Sequence, residues 1–232
     1  MDSMFEILMG LPLFKGVSQE RMASTVGSCK FHFLKYLPGS NIFNAGDRCD
    51  DIAFIISGNV RISISNTDNR FTVSQTLGGL DVISPEFLFG RFTNYPGNVV
   101  AIDTVSILRI HKRDYISILH SDPVFLFNYL NLLSMNAQKA VEGILAVSTG
   151  DIPERIAYWI SALTQPRSTD ITLECTHRDL AALFGVPRSS LKAALENMKN
   201  DGLVDYTPYS IKVIDRRMLL ALLHNHSEQS ED

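Results

Sequence analysis

The stretch Thr176–Met198, THRDLAALFGVPRSSLKAALENM, decides how the last third of this chain folds. Leu180, Ala181, Phe184, Val186, Leu191 and Ala194 recur at the spacings of two short helices packed across a tight turn. Ala181 lets the helices approach, and Gly185 can take the positive φ that such a turn demands. Pro187 presets φ where the second helix starts, which suits a first turn. The pattern is that of a helix-turn-helix, with Leu191, Ala194, Leu195 and Met198 inside. Arg188, Ser189 and Lys192 fall on the outer face of the second helix, Pro187–Met198, near its N-terminus. Beyond it, Leu203–Tyr206 and Ile211–Ile214 flank Thr207-Pro208-Tyr209-Ser210, the signature of a two-stranded wing.

Upstream, Ile171–Leu173 reads as a short strand. Ile152–Leu163 reads as a helix with Ile156, Trp159, Ile160 and Leu163 on one face. Asp151 is placed to cap that helix, Pro153 sits in its first turn, and Gly150 stops the segment before it. That segment is a heptad-like run: Leu126, Leu130, Leu133, Ala137, Ala140, Ile144 and Val147 alternate spacings of four and three. Such a seam packs a helix along an identical partner, which implies a homodimer. A helix covering its own domain's core is the alternative.

The first ~120 residues are punctuated like a β-protein. Ile52–Ile56 is continuously apolar, Ser57-Gly58-Asn59 is a turn, and Val60, Ile62 and Ile64 alternate with Arg61, Ser63 and Ser65. Asn66–Arg70 turns the chain back into Phe71, Val73 and Gln75. Lys30–Leu37 and Asn98–Ile110 are further β-like runs, and Gly39, Gly46, Gly58 and Gly79 supply turns. Short strands at this spacing predict an antiparallel, jelly-roll-like β-roll rather than a βαβ sheet. The expected fold class is therefore α+β: a sensor roll over residues 1–121, a dimerisation helix over 122–149, a winged helix-turn-helix over 150–226 and a disordered acidic tail over 227–232.

Composition narrows the functional classes. The chain of 232 residues carries a net charge of −4, but Thr176–Arg217 holds seven basic and five acidic residues, a local +2. The apolar stretch Ile7–Phe14 is too short to span a bilayer and follows acidic residues, so it reads as neither membrane anchor nor signal peptide. Cys29, Cys49 and Cys175 are odd in number and far apart, as expected of reduced thiols in a cytoplasmic protein. No G-x-S-x-G, P-loop or G-x-G-x-x-G occurs, and the β-like first ~120 residues hold no H-x-H, so the chain reads as neither a cupin-type metal enzyme nor any other enzyme those motifs mark, and no metal site is expected.

The chain resembles the CRP/FNR family of transcription regulators along nearly its whole length. Pro12-Leu13-Phe14, Pro38-Gly39, Ile42-Phe43, Gly46, the run Asp51–Val60, the helix-turn-helix and Gly202-Leu203-Val204 carry the resemblance. It implies a cyclic-nucleotide-binding-type roll, a long central helix pair, and a second motif helix that enters the major groove of a palindromic operator in double-stranded DNA. It also makes RNA polymerase a candidate partner. Members that bind cyclic AMP carry a Gly-Glu and an Arg-Ser around the phosphate. Here the corresponding stretches read Asp81-Val82-Ile83-Ser84-Pro85-Glu86-Phe87 and Tyr95-Pro96. Tyr95 has no charge and Pro96 no N–H for a phosphate, which argues against cyclic AMP; Arg91 is the one nearby cation that could stand in.

Ser84, Glu86, Phe87, Arg91 and Tyr95 are accordingly the candidate effector residues, and with Leu88, Phe89 and Phe92 they suggest an apolar pocket. An iron–sulfur cluster needs four thiolates where the chain has three. Haem stays open, with His32, His111 and His120 as candidate ligands, and the effector's identity is not given by the sequence. For DNA, Arg188 has the planar fork that reads guanine, with Ser189, Ser190 and Lys192 beside it. Thr176, His177 and Lys212 are candidate phosphate contacts. Ser189 and Ala193 replace the Glu and Arg of members that read TGTGA-type half-sites, which puts that half-site in doubt.

Overall fold

A computed structural model describes residues 2–148 and 150–223. Thr149, the end expected for the dimerisation helix, and the tail 227–232 lie outside the described residues. The elements in chain order are α1 (Asp2–Gly10), α2 (Gln19–Ser28), β1 (His32–Tyr36), β2 (Asn41–Phe43), β3 (Asp51–Ser57), β4 (Val60–Ser65), β5 (Thr72–Leu77), β6 (Val82–Ile83), β7 (Asn98–Ala101) and β8 (Val105–His111). They continue with α3 (Lys112–Ser121), α4 (Pro123–Ser148), α5 (Ile152–Leu163), β9 (Thr169–Glu174), α6 (His177–Phe184), α7 (Arg188–Asn200), β10 (Val204–Thr207), β11 (Ser210–Val213) and α8 (Arg216–Ala221). Contacts divide the chain into two compact units: residues 1–62 with 77–136, and residues 63–76 with 137–232.

The first unit is the antiparallel roll. One sheet runs β1-β8-β3-β6, and β4, β7 and β2 neighbour one another in a second. The continuous apolar run of β3 is explained by its place between β8 and β6: Ile52, Ala53, Phe54 and Ile55 are all buried. β4 alternates as expected at its start, with Val60 and Ile62 buried and Arg61 exposed. Gly58 takes φ +81° because any Cβ there would collide with the Thr104 carbonyl oxygen. Phe14 centres the apolar interior, its ring centroid 6.1 Å from Phe54 and 5.6 Å from Phe125 of α4. Asn128 fixes the start of α4 by donating to the carbonyls of Leu13 and Lys15 at 2.8 and 2.9 Å.

The second unit contains the winged domain. Leu180, Ala181 and Phe184 of α6, Leu191, Leu195 and Met198 of α7, and Ile156, Ala157 and Ile160 of α5 share one core with Leu173, Ile211 and Leu219. The expected two-stranded wing is larger than read: β10-β11-β9 continues into β5, which pairs with β9. Helix α8 was not anticipated at all, although Asp215 caps it by accepting from the Met218 N–H at 2.9 Å. Pro187 stands at the N-cap of α7 rather than in its first turn, and α7 runs on to Asn200, two residues past the expected end.

Candidate nucleic-acid interface

Each end of the helix-turn-helix is held by a local interaction. The Thr176 hydroxyl accepts from the Asp179 N–H at 3.1 Å and so caps α6. Gly185 closes α6 at φ +64°, with its N–H directed to the carbonyls of Ala181 and Ala182. The Val186 N–H bonds Ala181 at 3.0 Å, and α7 begins two residues later. Burying Leu191, Leu195 and Met198 against α5 and α6 leaves the opposite face of α7 in solvent. Arg188, Ser189, Ser190 and Lys192 all lie on that exposed face within its first two turns. Among the described residues Arg188 and Lys192 make no ion pair, so both charges are available.

The far end of α7 is different, because its charges are already used. Lys199 pairs with Asp205 at 2.8 Å and lies 5.7 Å over the Tyr206 ring, and the Tyr206 hydroxyl donates to Glu196 at 2.6 Å. Asp205 raises the Lys199 ammonium above its ordinary range and is itself lowered. A basic face confined to the N-terminal half of α7 is the geometry with which such a helix addresses base edges.

The three expected phosphate contacts are less available than the sequence suggests. Thr176 is spent on its own helix cap. The His177 ring packs 5.5 Å from Tyr206 with Nε2 buried and unpartnered among the described residues. Lys212 pairs with Asp170 at 3.2 Å. Sequence reasoning passed over Arg178, which is exposed on α6 and has no ion-pair partner among the described residues. The signal was its place two residues after a helix cap. Arg155 was missed as well: it donates to the Ala146 and Val147 carbonyls at the end of α4 (3.0 and 3.1 Å) and to the Phe184 carbonyl at 2.6 Å. Its guanidinium also lies 4.9 Å over the Phe184 ring.

In the roll, the candidate effector residues split between interior and surface. Ser84 is buried at φ +46° before a short 3₁₀ turn over Pro85–Phe87. Tyr95 is 3 % exposed and stacked on Phe43 with centroids 4.0 Å apart; burial, with Cys49 alongside, drives its phenol far above the ordinary range. Glu86 is exposed and accepts from Asn136 of α4 at 3.0 Å. Arg91 is exposed, its guanidinium 5.5 Å over the Phe92 ring, and Phe92 is 73 % exposed, so Phe92 does not line an apolar interior as expected. His32 and His120 lie on the surface, and His111 caps α3 by accepting from the Arg113 N–H at 3.3 Å. All three thiols are free; burial raises Cys49 and pushes Cys175 up to about 12. No described helix is long and apolar enough to cross a membrane.

On α4 two stripes run side by side. Phe125, Tyr129 and Ala146 face inward and are buried. The heptad residues Leu126, Leu130, Ala137, Ala140, Ile144 and Val147 are exposed, and Leu133 is half-buried.

The fold and this face define a class: a β-roll of the cyclic-nucleotide-binding type coupled in one chain to a DNA-binding helix-turn-helix. A model of the cyclic nucleotide-binding domain matches residues 33–122, and a model of the Crp-like helix-turn-helix domain matches residues 154–222. The chain belongs to the CRP/FNR family of transcription regulators. It is 24 % identical over 215 residues to the cyclic AMP receptor protein of Thermus thermophilus, covering 90 % of this chain and 95 % of that one. Among solved structures, a crp/fnr-family regulator from Eubacterium rectale superposes with a TM-score of 0.52 at 16 % identity, over 93 % of this chain and 99 % of that one. The sensor domain of the regulator DNR from Pseudomonas aeruginosa gives 0.52 at 17 % identity, over 64 % and 97 %.

Proposed function

We propose that this regulator acts in the cytoplasm as a homodimer on a palindromic operator, with the N-terminal half of each α7 reading one half-site in the major groove. The observation that carries the reading is the face of α7 itself: Arg188 and Lys192 are exposed and without an ion-pair partner among the described residues, where the Lys199 end is neutralised. Arg188 reads a guanine through its fork, and Ser189, Ser190 and Lys192 complete the base-side set. Arg178 makes the direct phosphate contact, and Lys212 joins it by exchanging Asp170 for a phosphate, while Thr176 and His177 stay engaged by Asp179 and Tyr206. The exposed Leu126–Val147 seam supplies the partner surface, since a stripe of that length left in water favours association. Half-site centres then fall about 10 base pairs, one helical turn, apart.

The roll supplies the control input. Relatives are named for cyclic AMP; in this chain the buried Tyr95, stacked on Phe43, brings no cation to a phosphodiester, and we assign the control to a different effector. RNA polymerase is the expected protein partner of the DNA-bound dimer. The test is selection of duplexes from a random pool by the purified protein, followed by footprinting. An inverted repeat with the stated spacing is expected; a single asymmetric site would overturn the two-fold reading.

A further inference from the structure

Strand β5 lies between β9 of the winged unit and β4, and it comes from residues 63–76, between two segments of the first unit. Its register sets Val73 opposite Leu173, itself opposite Ile211, so a buried apolar row crosses three strands. Gln75, 4 % exposed, accepts from the Gln165 N–H at 2.7 Å. At the hairpin's end Phe71 meets the edge of Trp159 (5.3 Å), and Trp159 meets Phe184, the last residue of α6 (5.8 Å). Hydroxyl pairs Ser63–Ser74 and Ser65–Thr72, at 2.9 and 2.8 Å, hold the hairpin together as one piece.

Beyond Phe71 the hairpin forms one wall of a cleft of about 560 Å³, through Asn69, Arg70 and Thr72. The facing wall includes Thr176, Asp179, Tyr209 and Ser210: the cap of α6 and the wing turn. Arg70 is paired with Asp68 at 2.8 Å, and Glu174 and Asp179 also border the cleft. Asp68 offsets Arg70 within the hairpin, so the docked hairpin walls off this acidic edge without bringing net positive charge to a phosphate backbone. The docking is also weak at one point, since a bulge falls between Ser74 and Thr76, and the Thr76 hydroxyl is buried with no partner among the described residues.

We propose that the 63–76 hairpin is an autoinhibitory strap: docked as the fourth strand of the wing sheet it guards the α6 side of the DNA-facing surface, and it leaves β9 when duplex DNA engages. The hairpin can leave as one piece because β5 stays paired with β4 on its other side, so only the β5–β9 ladder has to break. The inference rests on the DNA-binding function proposed for α7. Ser74→Cys with Thr172→Cys, opposed across β5 and β9, locks the hairpin on oxidation, in a Cys29→Ser background that removes the one thiol not buried. The oxidised protein should bind a fluorescent duplex, selected by the unmodified protein, about tenfold or more weakly than the same protein after reduction. Phe71→Ala should tighten binding severalfold and make Trp159, the chain's one tryptophan, more accessible to acrylamide. Oxidised and reduced forms binding within about twofold of each other, or the oxidised form binding tighter, overturns the strap alone. Loss of duplex binding by the unmodified protein would instead strike the reading beneath it.

Discussion

Ile144→Glu is the sharpest test of the helix seam. Ile144 is 65 % exposed on α4, Leu130 50 %, Val147 44 % and Leu126 41 %. Those fractions amount to about two side chains of apolar surface per helix, or about 3–6 kcal/mol per protomer at the usual value for burying an aliphatic side chain. The substitution removes about two-thirds of one side chain, about 1–2 kcal/mol, and does so twice in a symmetric pair. Setting two carboxylates across the seam adds their desolvation and mutual repulsion. The dimer should therefore weaken by about 3–5 kcal/mol, two to four orders of magnitude in Kd. Because Ile144 faces solvent in the single chain, the protomer's own fold should stay intact, which circular dichroism verifies. Sedimentation velocity over a concentration series measures the shift. An unmodified protein that is monomeric at micromolar concentration, or a variant that dimerises as tightly, refutes the reasoning.

Four further outcomes are expected. Arg188→Ala should cost about 1–3 kcal/mol per half-site and relax the preference at one guanine, whereas Arg178→Ala should weaken all duplexes alike and lower the salt slope by about one, both read from binding series at several salt concentrations. Gly185→Ala should destabilise the protein by about 1–2 kcal/mol in thermal unfolding, entirely through backbone strain, since no atom lies within 4 Å of the added Cβ. At pH 8 a thiol reagent should modify Cys29 rapidly and leave Cys49 and Cys175 slow, because burial keeps both protonated and Cys175 ionises only near about 12; rapid labelling of two thiols counts against this. Millimolar cyclic AMP should leave the melting temperature unchanged, whereas a rise of several degrees would show binding to the native roll.

The features legible in the sequence are those encoded locally. The α6–α7 turn was readable because Ala181, Gly185 and Pro187 each serve a fixed backbone position within a dozen residues. Strand β4 was readable at both ends because one face is buried and turns bound it. The pairing of β5 with β9 was not, because nothing near Thr72 specifies a partner a hundred residues away. Lys212 and His177 illustrate the same limit at the candidate site: their types suit a phosphate, but Asp170 and Tyr206 engage them through space. Composition places Phe92 in an apolar lining, and its 73 % exposure comes from loop geometry that composition does not carry. Arg155 escaped notice because a guanidinium held by carbonyls and an aromatic ring leaves no charge pattern to detect.

Arg155 has a consequence for operator geometry. One guanidinium clasps the last carbonyls of α4 and the last carbonyl of α6, so the recognition motif is bolted to the end of a 26-residue rod. The rod then works as a phasing gauge. Each residue added to α4 turns the attached motif by about 100° and advances it about 1.5 Å, so insertion of one residue between Ala137 and Ala140 would point α7 away from its groove. Seven residues would return it to within about 20° of its heading while displacing it about 10 Å along the axis. On the proposed dimer, whole heptads added to α4 would keep each α7 close to its heading while moving the motif along the helix axis, with every residue proposed to read bases left in place.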